Sequence, residues 1–286
     1  MPSLIDIRRR IRSVKNTQQI TKAMKMVSAA KLRRAQDRVI AARPYVALLG
    51  QALANVAAAV AAGATTVEDP LLASRPERNM LLVLITGDKG LAGAFNANLI
   101  KGAQRFIAER DGGSVRLELI GRKGRDFFRK RGAAISGEHL YLAKKPAYGD
   151  TAAIARQAME MFRNREIDAV YLLYNEFKSV MAQKLTLTRV LPAELPEGAA
   201  PIDYIYEQPP AALIGALLPK YVETAFFRAL LESAAAEHAA RMTAMDAATS
   251  NAAEMIDKLT LHMNRVRQAS ITKEIIEVVS GASAAE

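Results

Sequence analysis

The sequence of 286 residues contains no cysteine, which excludes disulfide bonds, thiolate metal sites and cysteine nucleophiles. Long hydrophobic runs are also missing. The longest, residues 56–64 and 80–85, are far shorter than the about 20 residues that a membrane-spanning helix needs. No apolar segment follows the basic residues near the N-terminus, so we expect neither a signal peptide nor insertion into a membrane. Half of the residues are hydrophobic and 24% are charged, which is typical of a globular protein.

Basic residues are unevenly distributed along the chain. The formal net charge is +11, and residues 1–50 contribute +10 of it, with twelve Lys and Arg residues against two acids. The remainder of the chain is close to neutral. This asymmetry predicts an acidic partner for the N-terminal segment.

Proline and glycine are absent from residues 3–43 and from residues 220–280, which predicts two long helices. A single helix over the second stretch would be roughly 90 Å long, too long for a compact domain. We therefore predict that the N- and C-terminal helices form a long antiparallel coiled coil.

The apolar residues of the N-terminal helix do not lie on one face. Those from Leu4 to Val14 follow the alternating spacing of a coiled-coil seam, and Gln18 interrupts it. Those from Ile20 to Val27 fall on roughly the opposite face, and the basic residues encircle the helix. An ordinary amphipathic helix with solvated charges would have one apolar and one polar face, and this pattern is closer to that of an enclosed helix. In the C-terminal helix, the segment from Ile271 to Val279 is apolar around most of its circumference and is predicted to be buried.

Between the long helices, strands alternate with helices. Strands are predicted over residues 80–85, 115–120, 167–174 and 184–191, and helices over 91–110, 125–131 and 151–165. This alternation predicts the α/β class, with a Rossmann-like domain built on a mainly parallel sheet. The predicted organisation is an N-terminal helix over residues 1–62, a central α/β domain over 76–205 and a C-terminal helix over 209–286.

The glycine-rich turn from Gly87 to Gly93 lies between a strand and a helix, where phosphates often bind. Its spacing matches neither a dinucleotide fingerprint nor a P-loop, so capping of a tight turn by Asp88 is the favoured interpretation. The histidines, His139, His238 and His262, are isolated in sequence. We predict no catalytic site, no metal site and no cofactor. Nucleotide binding at the turn and nucleic-acid binding by a basic coiled coil remain as alternatives.

Three segments resemble the gamma subunit of bacterial F-type ATP synthases. They are residues 11–35, residues 267–282 and the turn at residues 88–96. Within the turn, Lys89 stands where Arg is common and Ala94 where Gly is common.

The resemblance implies a non-catalytic rotor subunit in the central stalk. In this family the terminal helices form an asymmetric shaft inside a ring of alternating alpha and beta subunits, and the α/β domain stands on the ring of c subunits beside epsilon. The shaft couples proton flow to the catalytic sites, which belong to the beta subunits. The implied location is the cytoplasmic face of the bacterial inner membrane, as a peripheral part of the complex.

The resemblance also assigns partner contacts by position. Residues expected to contact the alpha/beta ring are Met24, Lys25, Arg241, Arg267 and Gln268, with Met24 and Lys25 facing an acidic loop of the beta subunits. Residues expected near the c ring and epsilon are Tyr206 and Glu207.

Overall fold

A computed structural model describes residues 3–62, 69–110, 113–194 and 207–283. The α-helices are α1 (Leu4–Ala62), α2 (Phe95–Ala108), α3 (Arg122–Arg129), α4 (Tyr148–Arg163) and α5 (Pro210–Ser283). Short 3-10 helices cover Pro70–Leu72 and Leu142–Lys144. The strands are β1 (Asn79–Ile85), β2 (Ser114–Ile120), β3 (Ile135–His139), β4 (Ala169–Phe177) and β5 (Gln183–Leu191).

The chain divides into two compact units. One comprises residues 1–28 and 242–286, and the other comprises residues 29–241. Each of the long helices α1 and α5 contributes a segment to both units.

In the first unit, the segments of α1 and α5 pair side by side. The hydroxyls of Thr21 and Thr249 are 2.8 Å apart, and Lys25 Nζ lies 2.6 Å from Asp246 Oδ1. Partner numbers fall on one helix as they rise on the other, so the helices are antiparallel, as predicted.

The seam of this helix pair does not end at Gln18, contrary to the prediction. It continues through small polar residues, because Thr21 is 8% exposed and Ser28 only 3%. The Thr21 hydroxyl has two hydrogen-bond partners, the carbonyl of Gln18 and the hydroxyl of Thr249. Its burial therefore leaves no polar atom unpaired. Polarity therefore misled the prediction, since hydroxyl pairs can take seam positions that apolar residues usually hold.

The segment from Ile271 to Val279 was predicted to be buried, and this prediction is wrong for the isolated chain. These apolar side chains are 49% to 72% exposed in the first unit. A segment that is buried on every face lies instead at residues 229–237 of α5, in the second unit. There, a run of alanine and serine lets other elements approach the helix closely from all sides.

The second unit contains a five-stranded sheet in the order β3-β2-β1-β4-β5. The first four strands in this order are parallel, and β5 runs antiparallel to β4. This confirms the mainly parallel α/β sheet. Strand β3 was missed because its sequence, residues 135–139, contains one large apolar residue and a glycine.

Both faces of the sheet are covered, as the continuous burial of β1 requires. One face packs against α4, the start of α5 and residues 53–60 of α1 in a single apolar core. The opposite face carries α2 and α3, with Phe106 of α2 stacked edge-on against Tyr171 of β4 at 5.0 Å.

Helix α2 begins at Phe95, four residues later than predicted. Leu91 and Gly93 have φ values of 61° and 55°, which a right-handed helix cannot include. The preceding turn therefore extends further into the apolar sequence than its composition suggests.

By length and composition alone, α1 is apolar enough to cross a membrane. It contains an 18-residue window with a mean hydropathy of 1.3, and 28% of that window is buried in the structure. This window is not a continuous apolar run, because single polar residues interrupt its alanine-rich stretches. Core helices pass the same test, and Leu53, Val56 and Val60 of α1 belong to the core of the second unit.

Candidate functional site at the sheet edge and along the terminal helices

The turn after β1 is held by hydrogen bonds to three other segments of the chain. The backbone N–H of Gly87 donates to Asn96 Oδ1 at 2.9 Å, and Asn96 Nδ2 donates to the carbonyl of Lys89 at 3.3 Å. Asp88 Oδ1 accepts from the backbone N–H of Arg122 at 3.1 Å and of Tyr141 at 3.2 Å. Asp88 therefore caps a helix, but it caps α3 rather than α2. This cap lets α3 begin at Arg122, three residues before the predicted start.

Helix α5 covers the same edge of the sheet. Ser233 Oγ donates to the carbonyl of Ile85 at 3.4 Å, and the carboxylate of Glu237 packs directly on Gly87. Doubly wound sheets commonly bind their ligands beyond the carboxyl ends of the strands. Since α5 packs on the turn and Asn96 takes the Gly87 amide, the geometry gives no support to a backbone phosphate cradle there.

Arg241 fastens α5 to the turn. Its guanidinium donates to the carbonyl of Gly90 at 3.3 Å and pairs with Glu237 Oε1 at 2.5 Å, and the residue is only 8% exposed. Burial raises the pKa of Glu237, and the neighbouring charge of Arg241 opposes that rise. Within the chain, this predicted ring-contact residue serves as a link between α5 and the sheet, and its contact with the ring remains a prediction.

His238 lies beside this pair, with Nδ1 3.4 Å from Arg241 Nη1. Burial, followed by the positive charges of Arg241 and Lys31, lowers the pKa of His238 to about 4. The ring is therefore neutral at pH 7 and can accept a hydrogen bond from Arg241 through Nδ1.

We expect His238 to make the chain less stable in acid. Its pKa is lowered in the folded state, so the unfolded chain takes up the proton first, and stability falls as the pH drops from about 6.5 to about 4. The loss should reach at most about 3 kcal/mol. His238→Gln should flatten the curve of unfolding free energy against pH over this window, as measured by urea denaturation.

His262→Gln is the matched control, because His262 is an exposed histidine on the same helix. Its profile should follow that of the unsubstituted chain. Equal slopes for the unsubstituted chain and for His238→Gln would show that His238 does not contribute.

A second polar cluster joins α5 to α4 around the buried carboxylate of Glu223. It accepts hydrogen bonds from Tyr148 Oη at 2.6 Å, Arg156 Nε at 2.7 Å and Lys220 Nζ at 3.2 Å. Burial alone would raise the pKa of Glu223, but these three donors lower it overall. Burial, followed by the hydrogen bond to Glu223, raises the pKa of Tyr148 to about 12. No sequence motif pointed to this cluster, because Tyr148 and Arg156 are separated from Glu223 by 75 and 67 positions.

The other predicted contact residues are distributed as follows. Met24 is half-buried and Lys25 pairs with Asp246, while Arg267 and Gln268 are exposed on α5 of the same unit. Glu207, in the second unit, is exposed. Tyr206 lies outside the described residues.

Within the described ranges, no group of three or more His, Asp or Glu side chains is arranged to hold a metal ion. His139 Nε2 lies 2.5 Å from Glu118 Oε1, which explains how this buried carboxylate on β2 is satisfied. His139, like His238, thus has a partner within the second unit.

Comparison with known proteins identifies the family. The family model described as ATP synthase matches residues 3–285. The chain is 77% identical to the ATP synthase gamma chain of Solibacter usitatus (strain Ellin6076) over the full length of both. The chain belongs to the ATP synthase gamma-chain family. A second member, from Anaeromyxobacter sp. (strain Fw109-5), is 53% identical and is aligned over 99% of both chains.

Solved structures share the fold of this family member. The rotor of the Euglena gracilis mitochondrial ATP synthase matches with a TM-score of 0.67 at 20% identity, covering 94% of this chain and 98% of that one. The central stalk and c-ring structure from Tetrahymena thermophila matches with a TM-score of 0.60 at 24% identity, covering 80% of this chain and 99% of that one. The fold of this chain, long terminal helices with an α/β domain, thus occurs in these solved structures.

Proposed function

We propose that this chain is the central-stalk rotor subunit of an F-type ATP synthase, and that it couples proton flow to conformational cycling of the catalytic beta subunits. The observation that carries the proposal is the surface of the first unit. Apolar side chains off the helix seam are exposed there, among them Ile20 at 60% and Val27 at 55%. Such residues on a helix that already has its partner require an additional protein surface to cover them.

The charge of this surface supports the same role. In the first unit, six basic residues of α1 are exposed: Arg8, Arg9, Arg10, Arg12, Lys15 and Lys22. The exposed apolar residues lie on the same helix, so a partner that covers it must offer both acidic and apolar groups. An alpha/beta ring with an acidic loop on its beta subunits meets both requirements.

Rotary coupling requires that the shaft contact different catalytic subunits unequally. A helix pair with a mixed surface does this, since each orientation presents another set of contacts to the ring and so favours another conformational state. We assign ring contacts to Met24, Lys25, Arg241, Arg267 and Gln268. Glu207 and Tyr206 are assigned to the side of the c ring and epsilon.

In this proposal the chain itself performs no catalysis, and residues 1–62 and 209–286 supply the shaft while residues 76–205 supply the α/β domain. The complex would hold it at the cytoplasmic face of the bacterial inner membrane without insertion of its own helices. The relatives named above are ATP synthase gamma chains and lend no support to the nucleic-acid alternative.

Reconstitution tests the proposal. The purified chain should restore ATPase activity to alpha and beta subunits of the 77% identical relative's enzyme. Ile275→Asp should reduce this restoration, because Ile275 is 58% exposed in the chain and would face the ring. Met181→Asp is the control, since Met181 is 88% exposed in the other unit, between β4 and β5. Failure of the unsubstituted chain to bind or activate the alpha/beta mixture would contradict the proposal.

A further inference from the structure

A basic cavity lies in the second unit, next to the turn after β1. It has a volume of about 310 Å³ and is bounded by α1, the turn, the segment between β3 and α4, and α5. This size falls at the lower end of the range for small-molecule sites, about 300 to 1,000 Å³. It lies at the carboxyl edge of the sheet, beside β1, where the strand order reverses direction.

Positive charge dominates the lining. The basic residues are Lys31, Arg34, Arg38, Lys89, Lys144 and Arg241. Arg241 pairs with Glu237 and donates to the turn, whereas the side chains of the other five make no ion pair or hydrogen bond within the described residues. All five are exposed, so they can reorient toward a ligand without losing an existing contact.

The acids of the cavity offset only part of this charge, since Asp88 and Glu237 stand against six basic residues. Asp88 is engaged by the backbone N–H groups of Arg122 and Tyr141, and Glu237 is engaged by Arg241. Cations that converge from α1, the turn and the segment before α4 repel one another when no anion lies between them. The half-buried His238 lies on the cavity wall, where burial and then the charges of Arg241 and Lys31 lower its pKa.

We propose that this cavity binds a small anion with adjacent phosphate groups, held by Arg34 of α1 and Lys144 of the segment between β3 and α4, together with Lys31, Arg38 and Lys89. Recognition would come from side chains rather than from the amides of the turn, which is why the sequence lacks a phosphate-binding motif. Five cations without partners in the described part of the chain suit a ligand with more than one phosphate group, and guanidinium groups bind phosphate oxygens through paired hydrogen bonds. Arg241 is the one proposed ring contact that also lines the cavity, and the five cations assigned to the anion are not among those contacts.

Calorimetric titration of the full chain with inorganic pyrophosphate tests the site, in a buffer free of phosphate and at low salt. Binding should be saturable and should weaken as salt is added. Arg34→Gln and Lys144→Gln should each weaken binding by roughly tenfold, the effect of losing one charge-assisted hydrogen bond. Arg33→Gln is the control, because it removes the same charge from the neighbouring position of α1, which does not line the cavity. Since water and salt screen the charge of Arg33 from the ligand, the affinity should change by less than about twofold.

A second measurement follows the proton NMR signal of His238, assigned by its loss in His238→Gln. A bound anion stabilises the protonated ring, so pyrophosphate should raise the apparent pKa of His238 above about 4. The charged groups near the ring are Arg241, Lys31 and Glu237, and none of them is changed in Arg34→Gln or Lys144→Gln.

Three results would overturn the site. These are absence of saturable pyrophosphate binding by the folded chain, equal weakening by Arg33→Gln and Arg34→Gln, or binding that leaves the His238 signal unchanged. Each leaves the rotor proposal intact, because that proposal is tested by assembly with alpha and beta subunits and not by anion binding.

Discussion

Lys25→Glu should uncouple ATP hydrolysis from proton pumping in the assembled complex. If Lys25 faces an acidic loop of the beta subunits, reversal of its charge replaces attraction by repulsion at each passage of the shaft. Close like charges across an interface cost several kcal/mol and about 1.4 kcal/mol already corresponds to tenfold, so pumping per ATP hydrolysed should fall by roughly tenfold or more. The measurement compares proton uptake by membrane vesicles with their ATPase rate at equal amounts of assembled enzyme.

Lys25→Glu changes two contacts at once, the proposed contact with the ring and a contact within the helix pair. Lys25 pairs with Asp246 at 2.6 Å, so Lys25→Glu also breaks an ion pair within the helix pair. Both side chains are substantially exposed, at 41% and 56%, and such a pair contributes at most about 1 kcal/mol. Loss of this pair by itself should therefore have little effect.

Two further variants separate the contributions. Asp246→Asn breaks the pair and keeps the charge of Lys25, so coupling should remain close to normal. The charge swap Lys25→Glu with Asp246→Lys restores the pair and should remain uncoupled if the ring is the partner. Normal pumping in Lys25→Glu, or its recovery in the charge swap, would assign Lys25 to the helix pair alone.

Gly121→Ala should cause the largest loss of stability in the second unit. Gly121 has a φ of 97° and a ψ of 147°, a conformation that is essentially restricted to glycine. An added Cβ would lie 2.0 Å from the carbonyl oxygen of Thr86, which is backbone and cannot rotate away. Strain and overpacking together should cost about 3 to 5 kcal/mol, measured as the free energy of unfolding in urea.

Gly132→Ala separates the effect of backbone conformation from that of the clash. Gly132 also has a positive φ, 65°, but an added Cβ would meet nothing within 4 Å. The expected cost is therefore only about 1 kcal/mol. If the two variants lost equal stability, the close approach of Gly121 to Thr86 would not be the cause.

These glycines illustrate which parts of the fold the sequence predicts. The parallel strands were found because β1 and β4 are continuous apolar runs, and the long helices because proline and glycine are absent from them. The need for glycine at position 121 depends on the carbonyl of Thr86, which is 35 positions earlier and belongs to the neighbouring strand end. Local patterns contain no information about such a contact.

The same distinction applies to the candidate sites. The sequence placed Lys25 and Arg241 on long helices, and the family resemblance gave them partners. It did not indicate that Asp246 pairs with Lys25, or that Arg241 is bound to the turn at Gly90. The Glu223 cluster and the basic cavity were also missed, because each combines side chains from helices and loops that are distant along the chain.

The sequence by itself determined the absence of thiol chemistry, the concentration of positive charge in the first fifty residues, the long helices, the α/β class and the family. These properties depend on composition and on local periodicity, which any short segment expresses. Only the tertiary structure decided which polar residues continue the helix seam, which part of α5 is buried on all sides, and where basic side chains remain without partners. Burial and pairing depend on the distance between residues that are remote in sequence, and folding alone sets those distances.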